Sequence, residues 1–219
     1  MSYVLVAHGT RKPQGVELIG DLAARVSELV KNPVHVAFVD VIGPTPTEVL
    51  DAHAEEPAVL VPAFLARGYH VTTDIPTHVH ASGHDAVTVT AALGPDPALV
   101  RVLVDRLVES GWRADDSVIL AAAGTSDSAA LRDLHTTAAW VSATIGTRVE
   151  LAFAATGEPR VADAVTALRQ PGRRVVVASY LLSEGLFQDR LRNSGADVVT
   201  EPLGRHPGIS RPIAQRFLR

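Results

Sequence analysis

The chain spells one alternation of strand and helix twice, and that duplication narrows its possible folds more than any other feature. Short apolar, β-branched runs at Tyr3–Ala7, Val34–Val41, Ala58–Phe64 and Ala86–Ala92 predict four strands. Between them helices are expected from about Gln14 to Val30, Thr47 to Ala54, His70 to Ser82 and, after a Gly94-Pro95-Asp96-Pro97 turn, Ala98 to Glu109. The first shows its face openly, with Val16, Ile19, Leu22, Ala23, Val26, Leu29 and Val30 at helical spacing. From Ser117 the pattern restarts. Strands are expected at Ser117–Ala123, Arg148–Ala154, Arg174–Tyr180 and Ala196–Thr200, with helices near Ser128–Ala143 and Pro159–Leu168 and a last one opened by Leu203–Pro207. Strand-helix alternation of this kind predicts an α/β fold with mostly parallel sheets and right-handed crossovers. Two tandem α/β domains are expected, 1–111 and 112–219, each with a four-stranded sheet flanked by helices.

The two copies align residue by residue. Gly9 and Gly124 are 115 apart, as are Phe38 and Phe153. Leu65-x-x-Gly68 matches Leu182-x-x-Gly185, and Leu93-Gly94-x-x-Pro97 matches Leu203-Gly204-x-x-Pro207. Positions alike in both copies are explained by the fold. Where the copies differ in kind, packing is a poorer reason. His8 faces Ala123, Asp40 faces Ala155 and His70 faces Phe187, three polar residues against three apolar ones. All three polar residues fall at strand ends, and neighbouring strands of one sheet lie about 5 Å apart. His8, Asp40 and His70 are therefore expected to converge on one pocket that faces the second copy. Each has an ordinary alternative: a capped histidine after a strand, a turn-capping aspartate before Gly43, a helix-starting histidine. Their coincidence favours a site.

Composition removes whole classes of function. With 219 residues the chain is long enough for a substantial core. A net charge of −4 and a pI near 6.1 offer nothing to nucleic acid. There is no cysteine, so disulfides, thiolate metal sites and cysteine nucleophiles are excluded together. The Met1 end shows no basic stretch leading into an apolar core, and no apolar run is long enough to span a bilayer. A cytoplasmic protein with no nucleic-acid or membrane partner is expected. Nine histidines are the compositional oddity. Beyond His8 and His70, the group His78, His80 and His84 reads as a solvated helix face, with metal delivery as its alternative. His35, His53, His135 and His206 stand without companions in the sequence.

Two imidazoles and a carboxylate make a nitrogen/oxygen site suited to Fe(II), Co(II), Ni(II) or Zn(II), and a ligand set that small leaves positions open for reaction. Neutral histidines also accept protons near pH 7. Gly9-Thr10 and Gly124-Thr125 lack a nucleophile elbow, and no phosphate-binding glycine-rich loop is present. Metal transfer and metal-assisted hydrolysis remain.

Ala7-His8-Gly9-Thr10-Arg11, Phe38-Val39-Asp40, Pro62-x-Phe64-Leu65-x-x-Gly68-x-His70-Val71-x-x-Asp74-Ile75-Pro76 and Leu93-Gly94-x-x-Pro97 together resemble the sirohydrochlorin chelatases. These are the small class II tetrapyrrole chelatases of sirohaem and anaerobic cobalamin synthesis, here in a two-halved form covering essentially the whole chain. The resemblance implies a lyase that inserts a divalent metal, Fe2+ first and Co2+ or Ni2+ as the alternative, into sirohydrochlorin. It implies that His8 and His70 hold the metal and assist its insertion, with Asp40 as a third catalytic group where the family usually has glutamate. Thr10, Arg11, Arg67, Gly68 and Asp74, in the matched motifs or beside them, are the expected substrate contacts. Arg190, Arg192 and Arg205 are further candidates for the substrate's carboxylates. No permanently bound cofactor is expected, because the metal is a substrate. A chain supplying both halves is expected to be a monomer. A non-catalytic Co/Ni carrier or sensor is the competing reading from another class.

Overall fold

The structure, a computed structural model, describes all 219 residues. It contains β1 (Ser2–Ala7), α1 (Pro13–Val30), β2 (Val34–Phe38), α2 (Pro46–Ala52), β3 (Ala58–Pro62), α3 (Ile75–Ser82), β4 (Val87–Val89) and α4 (Pro97–Glu109). The second copy supplies β5 (Ser117–Gly124), α5 (Ser128–Ile145), β6 (Val149–Thr156), α6 (Val161–Leu168), β7 (Val175–Tyr180), α7 (Leu186–Arg192), β8 (Val198–Val199) and α8 (Ser210–Phe217). Helix α7 has no counterpart among the sequence expectations, and the predicted strands ending at Val41, Phe64 and Ala92 stop earlier than their apolar runs do.

Each copy forms a four-stranded, fully parallel sheet, in the orders β2-β1-β3-β4 and β6-β5-β7-β8. The registers repeat as the sequence alignment requires. Ala7 pairs with Phe38 as Ala122 pairs with Phe153, and Val6 with Pro62 as Ala121 with Ser179. Val4, Val6, Ala37, Leu50, Leu60 and Ile75 pack into one core, and Ile119, Ala121, Ala152, Val165, Val177 and Leu191 into the other. No helix is long and apolar enough to cross a membrane.

Packing divides the chain differently from the repeat. One compact unit comprises Met1–Gly94 with Pro207–Arg219, the other Pro95–His206. Helix α8 belongs with the first sheet: it lies against α1, and its Phe217 ring stacks on Tyr3 of β1 at 4.9 Å between centroids. Helix α4 belongs with the second, against α5 and β7. Each unit thus uses the last helix of the other half of the sequence. The apolar face of α4 (Leu99, Val100, Val102, Leu103, Leu107) signals burial, and periodicity alone does not say against which sheet.

After β1 and β5 the chain turns at a glycine in each unit, Gly9 with φ 97° and Gly124 with φ 116°. A β-carbon at either would overlap a backbone carbonyl oxygen of the neighbouring strand's exit, Asp40 in the first unit and Thr156 in the second. Only glycine combines that φ with so close an approach. Gly124→Ala should therefore lower the stability of the chain by about 2–4 kcal/mol through overlap and strain together, read as a fall in the urea midpoint.

Candidate active site

The site is built where β1, β2 and β3 end. β1 lies between the other two, so residues just past the three strands emerge side by side. His8 follows β1 and is exposed. His70 follows β3 after a seven-residue loop and opens a single π-helical turn, His70–Asp74, that runs into α3. Pro76 accounts for the widened turn. It has no N–H for the Thr72 carbonyl, and its ring would collide with that carbonyl in an α-helix. Instead Ile75 N–H donates to His70 O, five residues back.

The two imidazoles meet. Their ring centroids are 4.6 Å apart and the planes nearly perpendicular, at 86°. His70 is gripped from several sides: Nδ1 donates to Asp74 Oδ2 at 2.5 Å, Phe64 stacks on the ring at 5.7 Å, and Tyr69 makes a T-shaped contact with it at 6.1 Å. His8 Nδ1 donates to the Gly9 carbonyl at 3.0 Å. In both residues Nδ1 faces an oxygen that can only accept, so Nδ1 is the donor and, in the neutral imidazole, Nε2 is the nitrogen with the lone pair. That is how a metal-binding histidine is commonly set up, its second nitrogen held by a carboxylate or carbonyl. With metal–nitrogen bonds of about 2.1 Å, both rings can reach one ion at this spacing.

Asp40 does not complete a ligand set. Its Oδ1 accepts the Val41 N–H at 2.7 Å, and its own N–H donates to the His8 carbonyl at 3.0 Å. No group of three or more His, Asp or Glu side chains is arranged to hold an ion. The expected convergence of His8, Asp40 and His70 is thus met by the two histidines, with Asp40 tied to His8 through the backbone. The contrast at Asp40 also changes. A register shift between Ala122 and Gly124 adds a residue to the second unit, so the structural partner of Asp40 is Thr156 rather than Ala155.

The expected substrate contacts have other partners as well. Thr10 Oγ1 accepts the Lys12 N–H, and its methyl sits where a side chain on Gly15 would go. Thr125 accepts the Asp127 N–H in the same way, so this part of Thr10's role belongs to the fold of both units. Gly68 O accepts from Val71 N–H, Thr72 N–H and the Thr72 hydroxyl, starting the turn that carries His70. Asp74 serves His70. Arg11 and Arg67 are exposed.

In the second unit the position of His70 is taken by Phe187, with Arg190 over its ring at 5.7 Å. The next residue, Gln188, is fully buried; it accepts from the Ser179 hydroxyl and donates to Thr200 O. Arg192 is held by both oxygens of Glu184, at 2.7 and 2.8 Å, which lowers the Glu184 carboxyl below its ordinary range and commits that arginine. A shallow concavity lined by Arg169, Arg173, Arg174 and Asp197 lies at the opposite, N-terminal end of β7. Two of its arginines are spent on Asp197 and Asp116.

The remaining histidines divide by partner. His84 uses both nitrogens, towards Glu56 O and from Ala86 N–H, and His78 Nδ1 meets the Thr47 hydroxyl, so these two are structural rather than merely solvated. His35 and His53, unaccompanied in the sequence, bring their rings together at 4.2 Å between centroids, tilted by 42°. Burial and then the His53 charge lower the His35 pKa. His206 is buried within 3.7 Å of Asp105 and Glu109.

A model of the CbiX family matches residues 2–110 and again 117–219, and the chain belongs to that family. The sirohydrochlorin ferrochelatase of Priestia megaterium is 25% identical to it over 96% of this chain and 87% of its own length. The sirohydrochlorin cobaltochelatase of Methanothermobacter thermautotrophicus is 30% identical over 48% of this chain and 88% of its own. Among solved structures, SirB from Bacillus subtilis with Fe3+ superposes with a TM-score of 0.86 at 19% identity, over all of this chain and 95% of that one. CbiX described as the terminal enzyme of sirohaem biosynthesis in denitrifying bacteria gives 0.75 at 19%, over all of this chain and 98% of its own. The chelatase fold is therefore shared along the whole length.

If Asp74 sets the ring, nitrogen-detected NMR of the imidazoles should find His70 as the Nδ1–H tautomer in the wild type. In Asp74→Ala it should move towards Nε2–H, with the His8 signals less affected.

Proposed function

We propose that this chain inserts a divalent metal, Fe2+ in the first instance, into sirohydrochlorin. The observation that carries the reading is the His8–His70 pair, two adjacent imidazoles each with Nδ1 committed to an oxygen acceptor and Nε2 left to act. Family membership supports it, as does the name of the relative that spans nearly the whole chain. Co2+ is the alternative substrate, favoured by the cobaltochelatase relative that matches about half of the chain. The donor set suits either ion.

Charge and proton balance suggest how the pair works. A free tetrapyrrole carries two pyrrole N–H groups, and a divalent ion entering the ring must displace both protons. His8 and His70 first hold the ion through Nε2, replacing part of its water. As the ion moves to the pyrrole nitrogens, each vacated Nε2 is a base beside a departing proton. General-base help of this kind is worth about 10²–10⁴ in rate. Asp40, bonded through its backbone to His8, adds negative charge near the cation, and Asp74 keeps the His70 ring in place while its proton count changes. Arg11 and Arg67 are the cations of this unit suited to the substrate's carboxylates. Because both copies lie in one chain, the working species is a monomer, to be checked by sedimentation.

Anaerobic incubation with sirohydrochlorin and Fe2+ or Co2+ should give a tetrapyrrole absorbance change faster than the spontaneous reaction. His8→Ala and His70→Ala should each remove about 10²–10⁴ of that acceleration while retaining the fold by circular dichroism. Metal binding with no tetrapyrrole-dependent change would instead indicate a carrier.

A further inference from the structure

Val41, immediately after Asp40, has φ 71°, a region that a β-branched residue enters only under strain. Ile42 N–H donates to Asp40 O at 2.8 Å, closing a three-residue γ-turn around Val41 of the positive-φ kind, which is rare. No burial compensates, since the valine is 41% exposed. The duplicated unit shows what the fold itself asks for. There Thr156 supplies the carbonyl that Gly124 approaches, as Asp40 does for Gly9. The residue after Thr156 is Gly157, with φ 115°, where a β-carbon would come within 2.8 Å of the Phe153 ring. Positive φ is thus common to both turns, and glycine meets it without strain in the unit that lacks the histidines. The unit with the histidines keeps an exposed valine instead.

We infer that Val41 is a substrate-contact residue, presenting with Tyr69 an apolar surface to the ring face of the tetrapyrrole beside His8 and His70. The inference rests on the chelatase reading. A tetrapyrrole is a flat, largely apolar ring edged with carboxylates. Imidazoles suit its nitrogens and arginines its edge, and neither removes the ring face from water. Tyr69 precedes His70, is 65% exposed and stands T-shaped to that histidine, 6.1 Å between ring centroids. Val41 follows a residue whose N–H is bonded to the His8 carbonyl. Both large apolar side chains are therefore exposed within one residue of a site group, where strain retained in the backbone has a use.

The test is steady-state kinetics on the full chain, varying sirohydrochlorin at fixed metal, together with thermal unfolding. Val41→Gly and Val41→Asn both accept positive φ and both lose the apolar contact. Each should raise the KM for the tetrapyrrole about 5- to 10-fold, with the larger change on KM rather than kcat and no fall in Tm. Val41→Ile should recover most of the wild-type KM. An unchanged KM in the Gly and Asn variants overturns the inference, and so does a drop in Tm that accompanies any kinetic loss, which would make the valine a packing residue. Absence of metal insertion by the wild type would overturn the chelatase reading instead. A direct fluorescence titration of sirohydrochlorin into wild type and Val41→Gly then still decides whether Val41 touches the ring.

Discussion

Parallel pairing of β1 between β2 and β3 is the constraint on which everything else in the first unit depends. It brings three exits to one edge of the sheet, about 5 Å apart, with no long-range side-chain contact needed to gather them. Two devices refine that placement. Gly9 lets the chain leaving β1 press against the Asp40 carbonyl, and a π turn before Pro76 rotates His70 onto His8 and Asp74 onto His70. The imidazole contact is a product of backbone geometry first and side-chain chemistry second.

Duplication turns the molecule into its own control. Thr10 and Thr125, Gly9 and Gly124, and the paired registers show what an α/β unit of this kind requires whether or not it carries a site. The second unit fills the His70 position with Phe187 and anchors the following helix through the buried Gln188, bonded to Ser179 and Thr200. Hydrogen-bonded burial of that sort stabilises, whereas an exposed His8 and a positive-φ valine do not. The first unit therefore bears local costs that its copy avoids, and they gather around the two imidazoles.

Much of this was legible beforehand, and the failures have specific causes. Short apolar, β-branched runs between helix-spaced segments located all eight strands, and comparison of the two copies picked out His8 and His70. The same comparison mispaired Asp40, because one extra residue at the β6 exit shifts the count while leaving the aligned motifs intact. His35 and His53 looked solitary at a separation of eighteen positions, yet α2 returns its end to β2 and brings their rings together. The exchange of α4 and α8 was hidden for a related reason: an amphipathic face states that it is buried, and the covering surface is a matter of chain path.

By itself, the sequence determined the parallel α/β class, the duplication, the absence of any thiol, and the pair of histidines that a fold alone does not need. These are set by local periodicity, composition and repeat, all of which act over a few residues or between aligned copies. Tertiary structure alone decided which ring nitrogen of each histidine is committed, that Asp40 stands beside the pair instead of within it, and that Val41 holds a strained turn open to solvent. Those outcomes depend on dihedral angles and on atoms brought together from distant positions, and such quantities come into being only when the chain has closed on itself.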